Sequence, residues 1–347
     1  MKSPNEKIDK IIKLSQNENP FGASAQALKA IEENYHSVYR YPEVINEDLR
    51  SKLAEKYNVA PDNIVMSAGS VEVMDMAIKA FVGFDENIVT SEKTFVAYKL
   101  LAEIHRRDCK LAKLVNNTVN VENIISMCDE RTRLIFIANP NNPTGTIITH
   151  DSLHKLLKAI PSQVFVVIDE AYIEYVNDTR YPHSLKLQKS FPNLIILHTF
   201  SKIYGLAGLR IGYAITHTDV RSSLIKHKTP FSISSLSSVA AIASLDDEEF
   251  VKKSISVNEK EREFLQDAFK NMGLNITLSQ GNFVCLEFDN LLEKEEIHKY
   301  LDNEGIIIRD LEPFGIEKGL RTSVGRPDEN VKLVECLGDF VKGVHMK

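Results

Sequence analysis

The sequence has little of what marks a secreted, membrane-spanning or nucleic-acid-binding protein. Its 347 residues include only four cysteines, Cys109, Cys128, Cys285 and Cys336, which lie far apart and show no metal-ligand spacing. No apolar run approaches the roughly 20 residues that a membrane span requires. The 42 basic and 48 acidic residues are mixed along the chain, which leaves no broad basic stripe for nucleic acid. We therefore expect a cytoplasmic protein with reduced thiols that binds no metal, nucleic acid or membrane.

The sequence does contain a regular alternation of short β-branched runs and helix-period segments. This alternation is typical of βαβ units and predicts an α/β domain with a mainly parallel sheet. The predicted strands cover residues 63–67, 87–90, 133–138, 164–169, 194–199 and 210–214, and the helices between them include 70–81, 149–159 and 219–226.

A long, charged, amphipathic pattern over residues 248–272 predicts a helix that bridges two domains. A shorter α+β pattern follows it, with strands at 283–288, 306–308 and 320–323 and helices at 294–303 and 328–341. The first forty residues are poor in strand pattern and rich in turn residues. We therefore predict an N-terminal arm over 1–40 that counts toward the small domain, a large domain over 41–260, and a small C-terminal α+β domain over 261–347.

In α/β proteins, ligands gather at the carboxyl ends of the strands, and several predicted strand ends carry polar residues here. Gly69 and Ser70 open the helix after the first strand, where free N–H groups suit a phosphate, although the same pair is also typical of a plain N-cap. Asn142 lies in a loop with Pro140 and Pro143, which restrict the direction of its amide. A stiff turn without any ligand has the same composition.

Asp169 ends a strongly apolar predicted strand, so its carboxylate is expected to be buried. A buried carboxylate costs several kcal/mol unless it is paired, and a pyridinium nitrogen is one suitable cation. Tyr172 follows in the same loop and could reach an oxygen on the same ring. The alternative is an aspartate that only caps the next helix.

Lys202 follows the predicted strand 194–199 and is surrounded by hydroxyls, small residues and Arg210. A lysine that forms a Schiff base needs an amine that is partly unprotonated, which burial and nearby cations favour. Nearby hydroxyls and a guanidinium can bind the phosphate of a cofactor. An isolated Ser-Lys pair is more often an ordinary surface lysine. The four strand ends that carry Ser70, Asn142, Asp169 and Lys202, taken together and in this order, indicate a pyridoxal phosphate site.

Together these residues resemble the fold-type-I pyridoxal phosphate enzymes, specifically the class I/II aminotransferases and most closely the histidinol-phosphate aminotransferase family. The resemblance runs from about residue 13 to residue 341. Its most specific pieces are residues 17–22, 40–42, 141–145, 169–172, 201–202 with Arg210, and 320–325.

The resemblance implies a large domain with a mainly parallel seven-stranded sheet between helices, a smaller α+β domain, and pyridoxal 5'-phosphate as the cofactor. It implies that Lys202 is the catalytic Schiff-base residue. The cofactor-binding residues implied are Ser70, Val71, Phe95, Asn142, Asp169, Tyr172, Thr199, Ser201 and Arg210, with Tyr41 from the partner subunit. The substrate-binding residues implied are Arg321, Arg309 and Asn19.

The activity that the resemblance implies is a ping-pong transfer of an amino group between a small-molecule amino donor and a 2-oxo acid. For this family the substrates would be L-histidinol phosphate and 2-oxoglutarate, in histidine biosynthesis, and the active unit would be a homodimer with shared sites. An aromatic amino acid aminotransferase and a threonine-phosphate decarboxylase share nearly all the cofactor residues, so both alternatives stay open. The chain departs from the family pattern at Val71 and Lys93, and it lacks the Pro-Tyr segment that often precedes Asn17.

Overall fold

The computed structural model describes residues 11–345. Residues 1–10 of the predicted arm and residues 346–347 of the predicted small domain therefore lie outside the described residues. Within the described part, short strands and helices alternate along most of the chain, as the sequence pattern predicts.

The strands are β1 (Ile12–Lys13), β2 (Ile64–Ser67), β3 (Asn87–Ser91), β4 (Asp108–Ala112), β5 (Thr132–Ala138), β6 (Phe165–Asp169), β7 (Leu194–Thr199), β8 (Gly212–Ile215), β9 (Asn275–Thr277), β10 (Phe283–Glu287), β11 (Ile306–Ile307), β12 (Arg309–Asp310) and β13 (Gly319–Ser323). The helices are α1 (Ala25–Asn34), α2 (Glu47–Tyr57), α3 (Ser70–Phe81), α4 (Ala97–Ile104), α5 (Val121–Met127), α6 (His150–Ala159), α7 (Ser184–Gln188), α8 (Thr218–Leu224), α9 (Ser235–Asp246), α10 (Glu248–Asn271), α11 (Leu291–Asn303) and α12 (Pro327–His345).

Seven strands form the central sheet in the order β2-β8-β7-β6-β5-β3-β4. The strands from β7 to β4 are parallel to one another, whereas β8 pairs antiparallel with both β2 and β7. The prediction of a mainly parallel seven-stranded sheet is thus confirmed. Such a sheet brings the carboxyl ends of its parallel strands to one edge, where ligands bind.

The central sheet is buried on both faces. Along β5, Ile135 and Ile137 belong to one hydrophobic core, whereas Leu134, Phe136 and Ala138 belong to a second one. A parallel strand covered on both sides is a continuous apolar run in the sequence, without the alternation of a half-exposed strand. This burial explains why the sequence pattern locates most of these strands.

The helix α10 connects the two parts of the molecule. Val251 and Ile255, in its first half, pack against a core of the central sheet. Leu265 and Phe269, in its second half, belong to the separate core of the C-terminal region. The helix therefore bridges two cores, as its sequence pattern predicts, while the division at residue 260 stays a prediction.

The arm is attached to the C-terminal region. β1 pairs parallel with β11, and the backbone N–H of Ser323 on β13 donates to the oxygen of Leu14 at 2.7 Å. The other small sheet is antiparallel, in the order β12-β13-β10-β9. Because Arg321 lies on β13, this attachment brings the arm next to that arginine.

In the central sheet, two strands differ from the prediction. β4 has no counterpart among the predicted strands, because it lies at the edge of the sheet and its Asp-Cys-Lys-Leu-Ala sequence is only partly buried. The predicted strand 210–214 begins instead at Gly212. Arg210 precedes it with a φ of 52°, a left-handed conformation that a strand does not contain.

Candidate active site

A cavity of about 470 Å³ lies at the carboxyl ends of the parallel strands, where the arm and the C-terminal region meet the central sheet. Its walls contain every site residue that the sequence indicates except Tyr41 and Asn19. These wall residues are Ser70, Val71, Phe95, Asn142, Asp169, Tyr172, Thr199, Ser201, Lys202, Arg210, Arg309 and Arg321.

Lys202 follows β7 and presents its amine to the cavity. The Nζ donates a hydrogen bond to the backbone oxygen of Gln16 at 3.0 Å and lies 5.5 Å from the ring centroid of Tyr172. Thr199 holds the turn before the lysine, because its Oγ1 accepts from the N–H of Ser201 at 3.0 Å. The amine is therefore positioned by the protein, which suits a nucleophile that must meet an aldehyde.

Asp169 ends β6 and is only 5% exposed. Its Oδ2 accepts from the hydroxyl of Tyr98 at 2.9 Å, and its Oδ1 accepts from the N–H of Ala171 at 3.2 Å. Burial raises the pKa of Asp169 to about 6, although both hydrogen bonds favour the charged form. A buried carboxylate in this state is stabilised by a cation such as a protonated pyridine nitrogen.

The first turn of α3 and the side chain of Arg210 form an anion-binding corner. Gly69, just before the helix, has a φ of 86°, and a Cβ there would lie 2.4 Å from the Nη2 of Arg210. Only glycine allows the guanidinium to come this close to the helix start. The Nη1 of Arg210 donates to the oxygen of Ala207 at 2.9 Å and approaches the hydroxyl of Ser201 at 3.5 Å. Helix N–H groups, a hydroxyl and a guanidinium together suit a phosphate.

Tyr172 and Asn142 bring a phenol and an amide to the same cavity. The Tyr172 oxygen accepts from the Nδ2 of Asn17 at 3.1 Å. The Oδ1 of Asn142 accepts a hydrogen bond from the Nη1 of Arg321. The Nδ2 of Asn142 has no protein partner among the described residues. Both groups can therefore donate a hydrogen bond to a ligand oxygen.

The donor set fits pyridoxal phosphate. Lys202 supplies an amine for the aldehyde and Asp169 an anion for the ring nitrogen. The α3 N-terminus with Arg210 supplies phosphate donors, and Tyr172 with Asn142 supplies donors for the ring oxygen. These groups lie in one cavity although they come from distant parts of the chain.

Arg321 and Arg309 form a second cationic region in the cavity. They lie opposite each other in the pairing of β12 with β13, and both donate to the backbone oxygen of Ser15, at 2.9 Å from Arg321 and 3.1 Å from Arg309. Arg321 is 3% exposed, and its Nε has no hydrogen-bond partner among the described residues. Burial, together with the charge of Arg309, lowers the pKa of Arg321 to about 10, so the group is still charged at pH 7. Two adjacent guanidinium groups with spare donors suit a bound anion.

Asn19 does not line this cavity. Its Nδ2 donates to the oxygen of Ile203 at 2.8 Å and to the hydroxyl of Ser254 at 3.1 Å, so its amide is used in contacts within the protein. Asn17 lies in the cavity wall instead. The substrate-binding role of Asn19 therefore stays a prediction, and the asparagine of the arm that lines the cavity is Asn17.

Tyr41 also lies outside the cavity of its own chain. It is 84% exposed, and its ring centroid is 4.9 Å from that of Phe231. The side chain is free to contact another molecule.

The contacts absent from the sequence prediction include Tyr98 with Asp169, Asn17 with Tyr172, and Gln16 with Lys202. Tyr98 and Asn17 are fully or almost fully buried, but burial alone does not identify a partner. The dense Asn17 to Gly22 turn cluster was the one sequence signal in the arm, and it did not distinguish Asn17 from Asn19.

Comparison with known proteins decides the family. The aminotransferase class I and II family matches residues 9–337, which is most of the chain. This chain belongs to that family. The aminotransferase is 38% identical over 334 residues to the histidinol-phosphate aminotransferase of Caldicellulosiruptor saccharolyticus, covering 96% of this chain and 93% of that protein. It is 37% identical over 336 residues to the histidinol-phosphate aminotransferase of Brevibacillus brevis, covering 97% and 92%.

Solved structures share the fold over nearly the whole chain. A putative histidinol-phosphate aminotransferase from Erwinia carotovora atroseptica matches with a TM-score of 0.90 at 29% identity, covering 97% of both chains. The histidinol-phosphate aminotransferase of Sinorhizobium meliloti, solved in complex with pyridoxal-5'-phosphate, matches with a TM-score of 0.89 at 24% identity, covering 99% of this chain and 96% of that one. An L-threonine-O-3-phosphate decarboxylase from Porphyromonas gingivalis has a TM-score of 0.82 at 22% identity, covering 96% and 100%. The last two likenesses show the fold alone.

The protein is a pyridoxal-phosphate-dependent aminotransferase, and its substrates are small molecules. The fold class inferred from the sequence, the enzyme class and the cofactor are thereby confirmed. None of the helices in residues 11–345 has both the length and the apolar character needed to cross a membrane.

Proposed function

We propose that this aminotransferase converts L-histidinol phosphate and 2-oxoglutarate to imidazole acetol phosphate and L-glutamate, as a step of histidine biosynthesis. The observation that carries the proposal is the buried Arg321 beside Arg309 in the cavity. Histidinol phosphate and glutamate, the two amino substrates of this reaction, each carry an anionic group that such a site can bind. The histidinol-phosphate aminotransferases that are 37% and 38% identical to this chain support the same substrate.

Pyridoxal phosphate, when bound, supplies an aldehyde for amines and a ring that takes up electrons from the substrate carbon. Lys202 would bind the cofactor at that aldehyde, and its amine, when free, would move a proton at the substrate carbon. Asp169 keeps a negative charge beside the ring nitrogen, which preserves the electron-accepting state of the ring. Its burial excludes water from that charge pair.

The remaining wall residues hold the cofactor in place. The backbone N–H groups of Ser70 and Val71 at the α3 N-terminus bind its phosphate, together with Thr199, Ser201 and Arg210. Tyr172 and Asn142 would donate to the 3'-oxygen of the ring. Phe95 would hold a face of the ring, and its own edge contact with Tyr98, at a centroid distance of 5.6 Å, limits its movement.

The two half-reactions use one anion site in turn. Arg321 receives the carboxylate of glutamate or the phosphate of histidinol phosphate, with Arg309 adding positive charge from the neighbouring strand. The first product must leave before the second substrate enters, which is a ping-pong cycle.

The amino substrate is tested by mixing the purified holoenzyme separately with histidinol phosphate, glutamate, phenylalanine and threonine phosphate. We expect histidinol phosphate and glutamate to convert the cofactor absorbance to that of its amino form, because they are the two amino substrates of the proposed reaction and each presents an anionic group to the paired arginines. Phenylalanine as the only converting amine besides glutamate would identify an aromatic aminotransferase. Release of carbon dioxide from threonine phosphate would identify a decarboxylase, and either result would contradict the proposal.

We also propose that the enzyme is a homodimer in which Tyr41 reaches the cofactor phosphate in the partner subunit. The segment around Tyr41 exposes an unusual number of large apolar and aromatic side chains: Tyr35, Val38, Tyr39, Tyr41, Val44 and Ile45, each at least 50% exposed. Exposed apolar patches of this kind mark interaction surfaces. A second copy is the occupant that the proposed contribution of Tyr41 to the site requires.

The shared site predicts recovery of activity in mixed dimers. Tyr41→Ala and Lys202→Ala chains should each be nearly inactive, but a dimer of one with the other contains one intact site. Random mixing is expected to restore about a quarter of the wild-type activity, because about half of the dimers are mixed and each has one of two sites intact. Mass spectrometry verifies the mixed dimers, and no recovery in verified mixed dimers would show that the site is complete within one chain.

We propose the cytoplasm as the compartment of the enzyme. All four cysteines are free, and Cys285 and Cys336 are buried. Free thiols without any disulfide are typical of proteins that work in a reducing compartment.

A further inference from the structure

Asn17 has a conformation and a set of contacts that the roles above do not explain. It is 1% exposed, it lines the active-site cavity, and its φ of 55° is left-handed. Its backbone oxygen accepts from the Nδ2 of Asn282 at 3.0 Å. A buried, non-glycine residue in this conformation is held by its surroundings, so its side chain points in one defined direction.

The hydroxyl of Ser323 sets which end of the Asn17 amide faces the cavity. That hydroxyl accepts from the backbone N–H of Asn17 at 2.8 Å and can then use its single hydrogen to donate to the Oδ1 of Asn17 at 3.3 Å. With Oδ1 committed to Ser323, the Nδ2 lies on the other side of the amide. There it donates to the oxygen of Tyr172 at 3.1 Å.

This contact determines what Tyr172 can do. A phenol has one hydrogen to donate, and Asn17 occupies an acceptor position on its oxygen. No protein acceptor for the Tyr172 hydrogen occurs among the described residues, and Tyr172 lines the cavity. The hydrogen is therefore available to a ligand atom in the cavity, and Asn17 occupies one of the two acceptor positions of the oxygen.

The two residues just before Asn17 also form hydrogen bonds to side chains of the cavity, through their backbone oxygens. The backbone oxygen of Ser15 accepts from Arg321 and Arg309, and that of Gln16 accepts from the amine of Lys202. The arm segment 15–17 therefore contacts the cations and the phenol of the site with hydrogen bonds of defined direction. Asn17 is the member of this segment whose side chain makes the contact, so it is the one that a substitution can remove.

We propose that Asn17 is a positioning residue that makes Tyr172 a hydrogen-bond donor to the 3'-oxygen of the cofactor. The inference rests on the proposed contact between Tyr172 and that oxygen. By donating to the phenol oxygen, Asn17 strengthens the phenol as a donor and selects the direction of its hydrogen. The arm would thereby take part in cofactor binding through Tyr172.

A double-mutant cycle tests this role. The variants are Asn17→Gly, which accommodates the left-handed backbone without strain, Tyr172→Phe, and the two combined. Titration of each apoprotein with pyridoxal phosphate, followed by absorbance, yields the dissociation constant of the cofactor. We expect Asn17→Gly to raise that constant about 3- to 10-fold when Tyr172 is present, as for the loss of one hydrogen bond, and to leave it unchanged when Tyr172→Phe is already present.

A second measurement distinguishes a specific effect of Asn17 on Tyr172 from a general destabilisation of the arm. The pH midpoint of the absorbance change of the bound cofactor should shift in the same direction in Asn17→Gly and Tyr172→Phe, because both weaken the hydrogen bond to the ring oxygen. Asn19→Ala is the matched control, since Asn19 is a buried asparagine of the same segment that contacts Ile203 and Ser254. Its effect on the dissociation constant should be equal with and without Tyr172→Phe, and it should not move the pH midpoint.

Equal effects of Asn17→Gly in the two Tyr172 backgrounds would overturn the positioning role. If the glycine variant does not fold, Asn17→Asp serves in the same cycle, because it keeps the acceptor for Ser323 and lacks the donor for Tyr172. A Tyr172→Phe variant with unchanged cofactor affinity and unchanged pH midpoint would instead overturn the proposed contact of Tyr172 with the cofactor. The two failures are therefore distinguishable.

Discussion

Replacing Lys202 with alanine is expected to lower kcat by about 10⁴-fold or more, because the chain loses both its nucleophile and its proton-transferring amine. Borohydride should fix the cofactor to the wild-type chain and not to the variant. The cofactor should still bind, since the phosphate corner around Arg210 and the carboxylate of Asp169 remain. Steady-state kinetics, together with mass spectrometry after reduction, measures both effects.

Lys253→Ala is the matched control for the loss of a lysine. Lys253 is exposed on α10, and its Nζ lies over the ring of Phe21, away from the active-site walls. This variant should keep wild-type activity and the reducible bond. Full activity in Lys202→Ala, or a reducible bond at another lysine, would show that Lys202 is not the residue that binds the cofactor aldehyde.

Replacing Asp169 with asparagine is expected to lower kcat/KM by about 10²–10⁴-fold, which corresponds to the roughly 3–5 kcal/mol lost when one partner of a buried charge pair is removed. The asparagine is isosteric and can still accept from Tyr98, so the geometry of the site should persist. It cannot hold a proton on the ring nitrogen, and the ring then loses much of its ability to take up electrons. Kinetics with glutamate as the amino donor measures the loss, and near-wild-type turnover would contradict the role of Asp169.

The same substitution should act in the opposite direction on the stability of the apoprotein. Burial raises the pKa of Asp169 to about 6, so above pH 6 the folded apoprotein carries a buried charge that the unfolded chain exposes to water. This charge destabilises the fold by up to about 3 kcal/mol, and the penalty disappears as the pH falls from about 6 to about 4.

Apo Asp169→Asn should therefore melt several degrees above the apo wild type at pH 8, with the difference vanishing near pH 4. With the cofactor bound, its ring cation stabilises the carboxylate, so the order of the two proteins should reverse at pH 8. Tyr98→Phe is the control, because it removes a hydrogen bond to the same carboxylate and keeps the charge. A melting difference that does not change with pH would show that the carboxylate is not the cause.

The residues at the strand ends were predictable for a local reason. Asp169, Lys202 and Ser70 each follow a strand or open a helix, and the parallel sheet brings these ends to one edge. Their positions in the cavity depend on the strand order of the central sheet, which the βαβ pattern constrains. Arg210 is similar, since it lies in the loop that follows β7.

The arm and the C-terminal region were less predictable. The resemblance implied a site role for Asn19, which stays a prediction. The structure places Asn17 in the cavity wall, and Asn19 holds the segment against Ile203 and Ser254. The edge strand β4 was missed because its residues are partly exposed and carry no continuous apolar run. Short strands such as β1 and β12 are too brief for any periodicity to identify them.

The sequence by itself determined the α/β class and the family, and it predicted most residues that line the candidate cofactor site, because these follow from local patterns and from motifs adjacent to strand ends. Only the tertiary structure decided that Tyr98 bonds Asp169, that Arg309 lies opposite Arg321, and that Asn17 reaches Tyr172. Each of these contacts joins elements that meet only through tertiary packing: α4 with the end of β6, β12 with β13, and the arm with the loop after β6. Local propensity carries no information about such packing, because the contacts depend on the relative placement of whole elements.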